Sequence, residues 1–335
     1  MAASTEQPQV YDPQTEDDSS SIGGSSFDDS LASLRSSILD YRRENGRTYH
    51  KLSDGKYLLP NDEREKDRLD FAHHLWKLTW DGELCNCPKK DGAKRVLDIG
   101  TGTGIWALDF ADEHPEATVY GVDLSPIQPG FVPPNCQFEI DDIEKEWTWS
   151  EPFDFIFARS MNGSFANRAE FIANAFDNLE PGGYVEMQDN VFPVFCEDNT
   201  MKKDSQVLKW SQLLVEGANL GGRSLSDGLS SKKMLEDAGF VDVQEKLEKW
   251  PISPRFQNDP KLKELGVWCQ AITLQSVETI ALATFTRVLG WGREETLVFC
   301  AGVRDELKKQ NVNGYFQAYS TWGRKPEKQE ETETP

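Results

Sequence analysis

Between Arg95 and Ala111 the chain reads RVLDIGTGTGIWALDFA, with glycine at positions 100, 102 and 104. No other stretch restricts the fold as much. Arg95-Val96-Leu97 has the character of a buried strand that breaks at Gly100, and Ile105-Trp106-Ala107-Leu108 opens a helix that continues through Phe110 and Ala111. Glycine reaches positive φ and lets backbone approach whatever lies above it. The run is therefore a strand, a tight turn and a helix whose amino end faces a ligand.

Two known ligand loops can be tested against this turn. The dinucleotide fingerprint G-x-G-x-x-G places its third glycine at the helix start, and that place is Ile105 here. The phosphate-cradling loop requires Gly-Lys-Ser/Thr, and no lysine follows the glycines. What remains is an acid, Asp98, two residues ahead of glycines spaced two apart. A carboxylate there suits a ligand carrying an ammonium group and repels a pyrophosphate.

Downstream, ATVYGVDLS (117–125) is a second apolar strand ending at Asp123, and CQFEIDDIEKEW offers a third, closed by Asp141-Asp142-Ile143. PFDFIFARS is a fourth, and NLEPGGYVEMQD holds a helix end, a Pro-Gly-Gly turn and a fifth. Strands alternating with helical stretches predict a parallel α/β sheet. Its ligand crevice lies at the carboxyl ends of the strands, where Gly100 to Gly104, Asp123 and Asp142 converge. An acid at the end of the second strand of such a sheet accepts hydrogen bonds from ribose hydroxyls.

The order and spacing of LDIGTGTG, GVDLS, DDI and LEPGGYVEMQD, over about residues 94 to 190, resemble the class I S-adenosylmethionine-dependent methyltransferases. The resemblance implies a Rossmann-like, doubly wound, mostly parallel sheet and S-adenosyl-L-methionine as cofactor. It implies that Asp98, Gly100, Gly102 and Gly104 line the methionine part, and that Asp123 takes the ribose. Asp142 would accept from the adenine amino group, with the Ile143 backbone beside it. Arg159, at the end of the fourth strand, is counted with this cofactor set.

Upstream, the run Tyr57-Leu-Leu-Pro-Asn-Asp, then Asp67-Arg68-Leu69-Asp70 and His73-His74, resembles the leader of the fungal LaeA-like methyltransferases. AGVRDELKKQNVNGYFQAYSTWGRKP resembles that family's ending, so the likeness spans roughly residues 41 to 326. The family contains regulators of secondary metabolism and tailoring methyltransferases. Within the leader, Asn61 is the expected helix cap, and Leu69, Ala72, Trp76 with Phe71, Leu75, Leu78 form a wide apolar stripe. A helix over 61–80 either packs on the sheet or closes over it, in which case His73 or His74 is the candidate catalytic side chain.

Composition divides the chain. Residues 1–30 hold seven Ser and seven acids with no Lys or Arg, which predicts a disordered tail, and 326–335 is similarly polar and acidic. Between them lie a leader with its lid helix (31–93) and a methyltransferase domain (94–325), with 195–290 expected as a substrate-side helical insertion. From Leu31 to Lys325 there are 46 acidic and 35 basic residues, a balance that argues against a nucleic-acid surface or an anionic membrane face. No apolar run approaches the roughly 20 residues of a membrane span. No signal leader is read at the start, and six scattered cysteines suggest a reducing compartment, cytoplasm or nucleus. Cys85-x-Cys87, near His73-His74, lacks the usual zinc spacing, so no metal is expected.

Methyl transfer depends mainly on orientation and a dry pocket. No base stands out. The Asn-Pro-Pro-Tyr motif of amine methylation is absent after the fourth strand, where Ala158-Arg159-Ser160-Met161-Asn162 stands. Asp189-Asn190 is similar to the ligand pair of magnesium-dependent catechol enzymes, but Arg159 replaces their strand-end carboxylate. Three functions remain: a methyltransferase acting on a small metabolite or a protein, a non-catalytic cofactor-binding regulator working through partner proteins, and a nicotinamide dehydrogenase. The missing third glycine counts against the last.

Overall fold

The computed structural model describes residues 41–327 apart from Lys51 and Asp54. The segment 1–30 and most of the expected acidic tail lie outside the described residues. A two-stranded ribbon, β1 (Arg42–Glu44) and β2 (Arg47–Tyr49), leads into helix α1 (Glu63–Thr79). Then β3 (Arg95–Ile99), α2 (Ile105–Glu113), β4 (Thr118–Asp123), β5 (Cys136–Ile140), β6 (Phe153–Arg159) and α3 (Arg168–Asp177) alternate as the sequence predicts. The remainder is β7 (Leu179–Cys196), α4 (Gln206–Leu220), α5 (Ser231–Asp237), β8 (Val241–Pro251), α6 (Pro260–Ala283), α7 (Arg293–Lys309) and β9 (Gly314–Arg324).

Seven strands form one sheet in the order β5-β4-β3-β6-β7-β9-β8, with only β9 antiparallel to its neighbours. The doubly wound, mostly parallel sheet read from the sequence is present. Its order reverses between β3 and β6, and ligands of open α/β sheets bind at such a switch point. Phe153 through Ala158 are all buried, as continuous strands covered on both faces must be. On one face Trp106 of α2 stacks on Phe157, ring centroids 3.9 Å apart and 7° from parallel. On the other, Phe171 and Ile172 of α3 pack with Leu235 and Phe240. A separate apolar core joins α1, α4, α6 and α7 to β7, β8 and β9, around Trp76, Trp210, Trp250 and Phe285.

Three details differ from the sequence expectation. Pro181-Gly182-Gly183 lies within β7 as an irregularity in its pairing with β6, because Gly182 takes φ +81° without ending the strand. Within residues 195–290, the helix, Gly239 turn and sixth strand that the sequence spells from Ser230 onward correspond to α5 and β8 of the main sheet. The cap of α1 is Asp62, whose carboxylate accepts from the Glu65 amide, while Asn61 bonds Thr48 and Ser125. Phe71, expected on the buried stripe, is 42% exposed and lies against Trp268.

One buried acid ties the leader to the sheet. Glu186 of β7, fully buried, accepts the amides of Asn86 (2.9 and 2.8 Å) and Cys87 (2.7 Å). It also accepts from the Gln188 side chain and the Ser320 hydroxyl, each at 2.8 Å. Cys85 and Cys87 therefore neighbour Glu186, not the two histidines. Because the acceptor is charged and buried, its bonds exceed ordinary ones. Glu186→Gln is expected to lower unfolding free energy by about 2–3 kcal/mol, and Ser320→Ala by only about 1. Urea denaturation of both variants measures this; equal losses would refute the central role of Glu186.

Candidate active site

The glycine turn joins β3 to α2 with φ of +67° at Gly100, +57° at Gly102 and +80° at Gly104. Packing beneath the turn leaves no alternative residue at two of these positions. A Cβ at Gly100 would collide with the Met161 side chain, and one at Gly104 with the Phe138 ring. Gly102 differs: its nearest neighbour would be Leu69 of α1, at 3.4 Å. The turn is thus clamped to the sheet at both ends and approached at its middle by the leader helix.

Three acids stand around it. Asp98 is buried and accepts the Thr101 hydroxyl at 2.6 Å. Burial raises its pKa to about 7, against the opposing hydrogen bond from Thr101 and the nearby charge of Arg159. Asp123 accepts one backbone amide on each oxygen, from Gly102 and from Ser125, both at 2.9 Å. Its pKa is also raised by burial, and its oxygens keep lone pairs for further donors. Asp142 is engaged with the leader, accepting on one oxygen from the Ser53 hydroxyl (2.7 Å) and the Lys56 ammonium (2.6 Å). Burial works against its ionisation, but those two bonds prevail and hold its pKa below the ordinary value. Nothing in the sequence pointed to Ser53 and Lys56. Ile143 is half-buried beside Asp142, its carbonyl accepting from the Trp147 indole at 2.9 Å.

Arg159 lies at the end of β6, next to β3 and Asp98. Its Nη2 donates to His73 Nδ1 at 2.8 Å, and His73 Nε2 lies 3.0 Å from Asp109 Oδ2. A guanidinium can only donate, so Nδ1 accepts and Nε2 carries the hydrogen. Burial lowers the His73 pKa, which keeps the ring neutral. With both nitrogens engaged, His73 braces Arg159 and has no free nitrogen for a substrate proton. His74 turns the other way and meets Trp268 edge-on, with centroids 4.3 Å apart. Neither histidine lines the cavity described next. Asp189 forms a buried ion pair with Arg168, which occupies the carboxylate that resembled a metal ligand.

Beside the turn is a cavity of about 250 Å³. The leader contributes Tyr57 and, from its helix α1, Arg68, Leu69, Leu75 and Trp76. Trp210, Trp250 and Ile272 come from α4, β8 and α6, so the stretch after residue 195 supplies much of the wall. The leader's share was not evident from its sequence, where its apolar positions fitted simple packing equally well. Ser160, just past β6, borders the cavity in a left-handed conformation, φ +58°, and its hydroxyl accepts from the Trp76 indole at 3.1 Å. Strain of that kind gathers at functional sites.

A methyltransferase-domain family model matches residues 47–245, more than half of the chain. This chain is a methyltransferase. Methyltransferase pytC of Aspergillus terreus is 38% identical over 300 residues, covering 89% of this chain and 92% of that one. Secondary metabolism regulator LAE1 of Cochliobolus heterostrophus is 34% identical, covering 85% and 94%. Protein-methionine methyltransferase laeA of Emericella nidulans is 33% identical, covering 85% and 77%. The methyltransferase therefore belongs to the LaeA-like group, whose methyl donor is S-adenosylmethionine. The crevice suits such a cofactor: Asp98 is a buried acid with only a hydroxyl bonded to it, and Asp123 has acceptor capacity left.

The raised pKa of Asp98 has a measurable consequence. Between 3.8 and about 7 the folded protein holds a proton that the unfolded chain releases, so stability falls as pH rises through that window. Asp98→Asn removes the loss, a gain of at most about 4 kcal/mol. Without added cofactor, the variant is expected to melt several degrees above the wild type at pH 8 and level with it near pH 4. A lower melting temperature at pH 8 would contradict the burial argument.

Proposed function

We propose that this methyltransferase transfers a methyl group from S-adenosylmethionine to a small-molecule acceptor of secondary metabolism held in the apolar cavity. One observation carries the proposal: the cavity adjoins the glycine turn through Leu69 and the end of β6 through Ser160. In this reading residues 94–325 form the transferase and the leader covers it. Asp98 and Arg159 are opposite charges on adjacent strands, matching the ammonium and carboxylate of an amino acid. Asp123 takes the two ribose hydroxyls. Asp142 and the Ile143 backbone receive the adenine amino end, with Ser53 and Lys56 sharing the Asp142 carboxylate.

When bound, the cofactor supplies an electrophilic methyl carbon. The chain's own part is to orient and to keep dry. Leu69, Trp76 and Trp210 exclude water from the approach, and the fixed turn holds the donor against the cavity; such positioning can supply about 7–11 kcal/mol of barrier reduction. A second reading is regulation through protein partners, with cofactor binding but no turnover. Its support is the regulator LAE1 among the relatives. Among the described residues no helix is long and apolar enough to cross a membrane. Cytoplasm or nucleus is the proposed location, with no direct binding of nucleic acid.

Asp123 tests the assignment. Charge-assisted bonds to two hydroxyls are worth roughly 1.5–3 kcal/mol each, so Asp123→Ala is expected to weaken S-adenosylhomocysteine by on the order of 10 to 1,000-fold. Asp123→Asn should fall between. Calorimetric titration measures all three proteins, and equal affinities in folded variants would remove Asp123 from the site.

A further inference from the structure

The cavity wall has a charge pattern opposite to that of the protein. The whole chain carries a formal charge of −21, yet among the described residues no Asp or Glu lines the cavity, whereas Lys56, Arg68 and Arg223 do. Their carboxylate partners are Asp142 for Lys56 (2.6 Å), Glu65 for Arg68 (2.6 Å) and Glu144 for Arg223 (2.8 Å). None of those three acids reaches the wall. The charged residues on the described wall are therefore all basic.

The interior is apolar even where its residues are not. The hydroxyls of Thr273, Ser276 and Thr284 all donate to carbonyls one turn earlier on their own helix, at 2.7, 2.8 and 3.0 Å. Their donor protons are therefore already taken up within the helix. The titratable residues of the wall include no proton acceptor at neutral pH. Burial pushes the Cys269 thiol up to about 12 and raises Tyr57, with Glu65 and Asp123 adding to it, so both stay protonated. The lysine and the two arginines are cations.

We propose that the methyl acceptor is an apolar molecule bearing an oxygen acid already ionised at neutral pH, a carboxylate or an acidic enolate, held with its anion toward Lys56 and Arg223. The inference rests on the methyl-transfer reading above. An oxygen lone pair forms the new C–O bond, the C–S bond breaks, and its electrons neutralise the sulfonium. The products are a methyl ester or enol ether and S-adenosylhomocysteine. No proton moves, so no base is required. Charge also favours turnover: the anion is attracted by the wall cations and the neutral product is not. An amine or a thioether acceptor would instead place a positive product beside a described wall whose charged residues are all basic.

The test uses the full chain saturated with S-adenosylhomocysteine, following quenching of the wall tryptophans 76, 210 and 250 on excitation at long ultraviolet wavelength. The probes share one skeleton: 4-phenylbutanoic acid, its methyl ester and 4-phenylbutylamine. The acid is expected to bind at least about ten-fold tighter than either, a difference of about 1.4 kcal/mol. Arg223→Met should reduce that preference while leaving ester binding unchanged, and Lys56→Met should reduce it when S-adenosylhomocysteine is raised enough to keep its site full. Equal or tighter binding of the ester or the amine, or no quenching by any probe, overturns the proposal. So does an acid preference that survives both substitutions. Calorimetry of S-adenosylhomocysteine on the same samples separates the two layers. Failure there removes the transfer reading, whereas normal product binding without acid preference removes only the acceptor class.

Discussion

Everything at the carboxyl edge of the sheet depends on the backbone of residues 100–104 lying flat on two side chains. Phe138 of β5 and Met161 beyond β6 occupy the space where a Cβ of Gly104 or Gly100 would stand. A side chain at either glycine would therefore displace Met161 or Phe138, and α2 starts where Gly104 leaves the turn. That start places Trp106 over Phe157, which sets the helix against the sheet. It also buries Asp98 beneath the turn, with the consequences for its ionisation described above. A steric constraint on three glycines thus becomes an electrostatic property of the site.

Two neighbouring regions of opposite character result. Around the turn stand Asp98, Asp123 and Asp142, in surroundings that raise the pKa of the first two. Across Leu69 lies an apolar cavity whose charged residues, among those described, are all basic. Lys56 belongs to both, bonding Asp142 while bordering the cavity. A cationic donor and an acceptor of the other sign would each find the complementary side, and separation of charge between subsites gives specificity as well as attraction.

The leader is held at several independent points, none of them recognisable by a local pattern. Arg47 pairs with Asp62 and reaches Thr279 on α6, while Arg287 pairs with Glu44. Glu186 grips the backbone at Asn86 and Cys87 from the sheet. These contacts join residues separated by 232, 243 and about 100 positions along the chain. Single exposed pairs contribute little. The Glu186 cluster is different, because its acceptor is buried and charged.

Local chemistry was legible where one residue type leaves little choice. Positive φ at Gly100, Gly102 and Gly104, apolar runs for β3, β4 and β6, and acids at strand ends could all be read along the chain. The cap at Asp62 instead of Asn61 shows the limit of that reading, since both are good caps and only the pairing of Arg47 favours the second. Tertiary structure decided what depends on distant partners. The apolar positions of α1 were visible, but that Trp76 meets Ser160, that His73 braces Arg159 and that Phe71 faces outward required the neighbouring elements. The same holds for the cavity. Its hydroxyl protons are taken up only once their helix has formed, and its basic residues meet their carboxylate partners outside the wall only in the assembled chain. Periodicity and turn chemistry act over a few residues and are written in the sequence; burial and charge compensation are properties of the assembled chain.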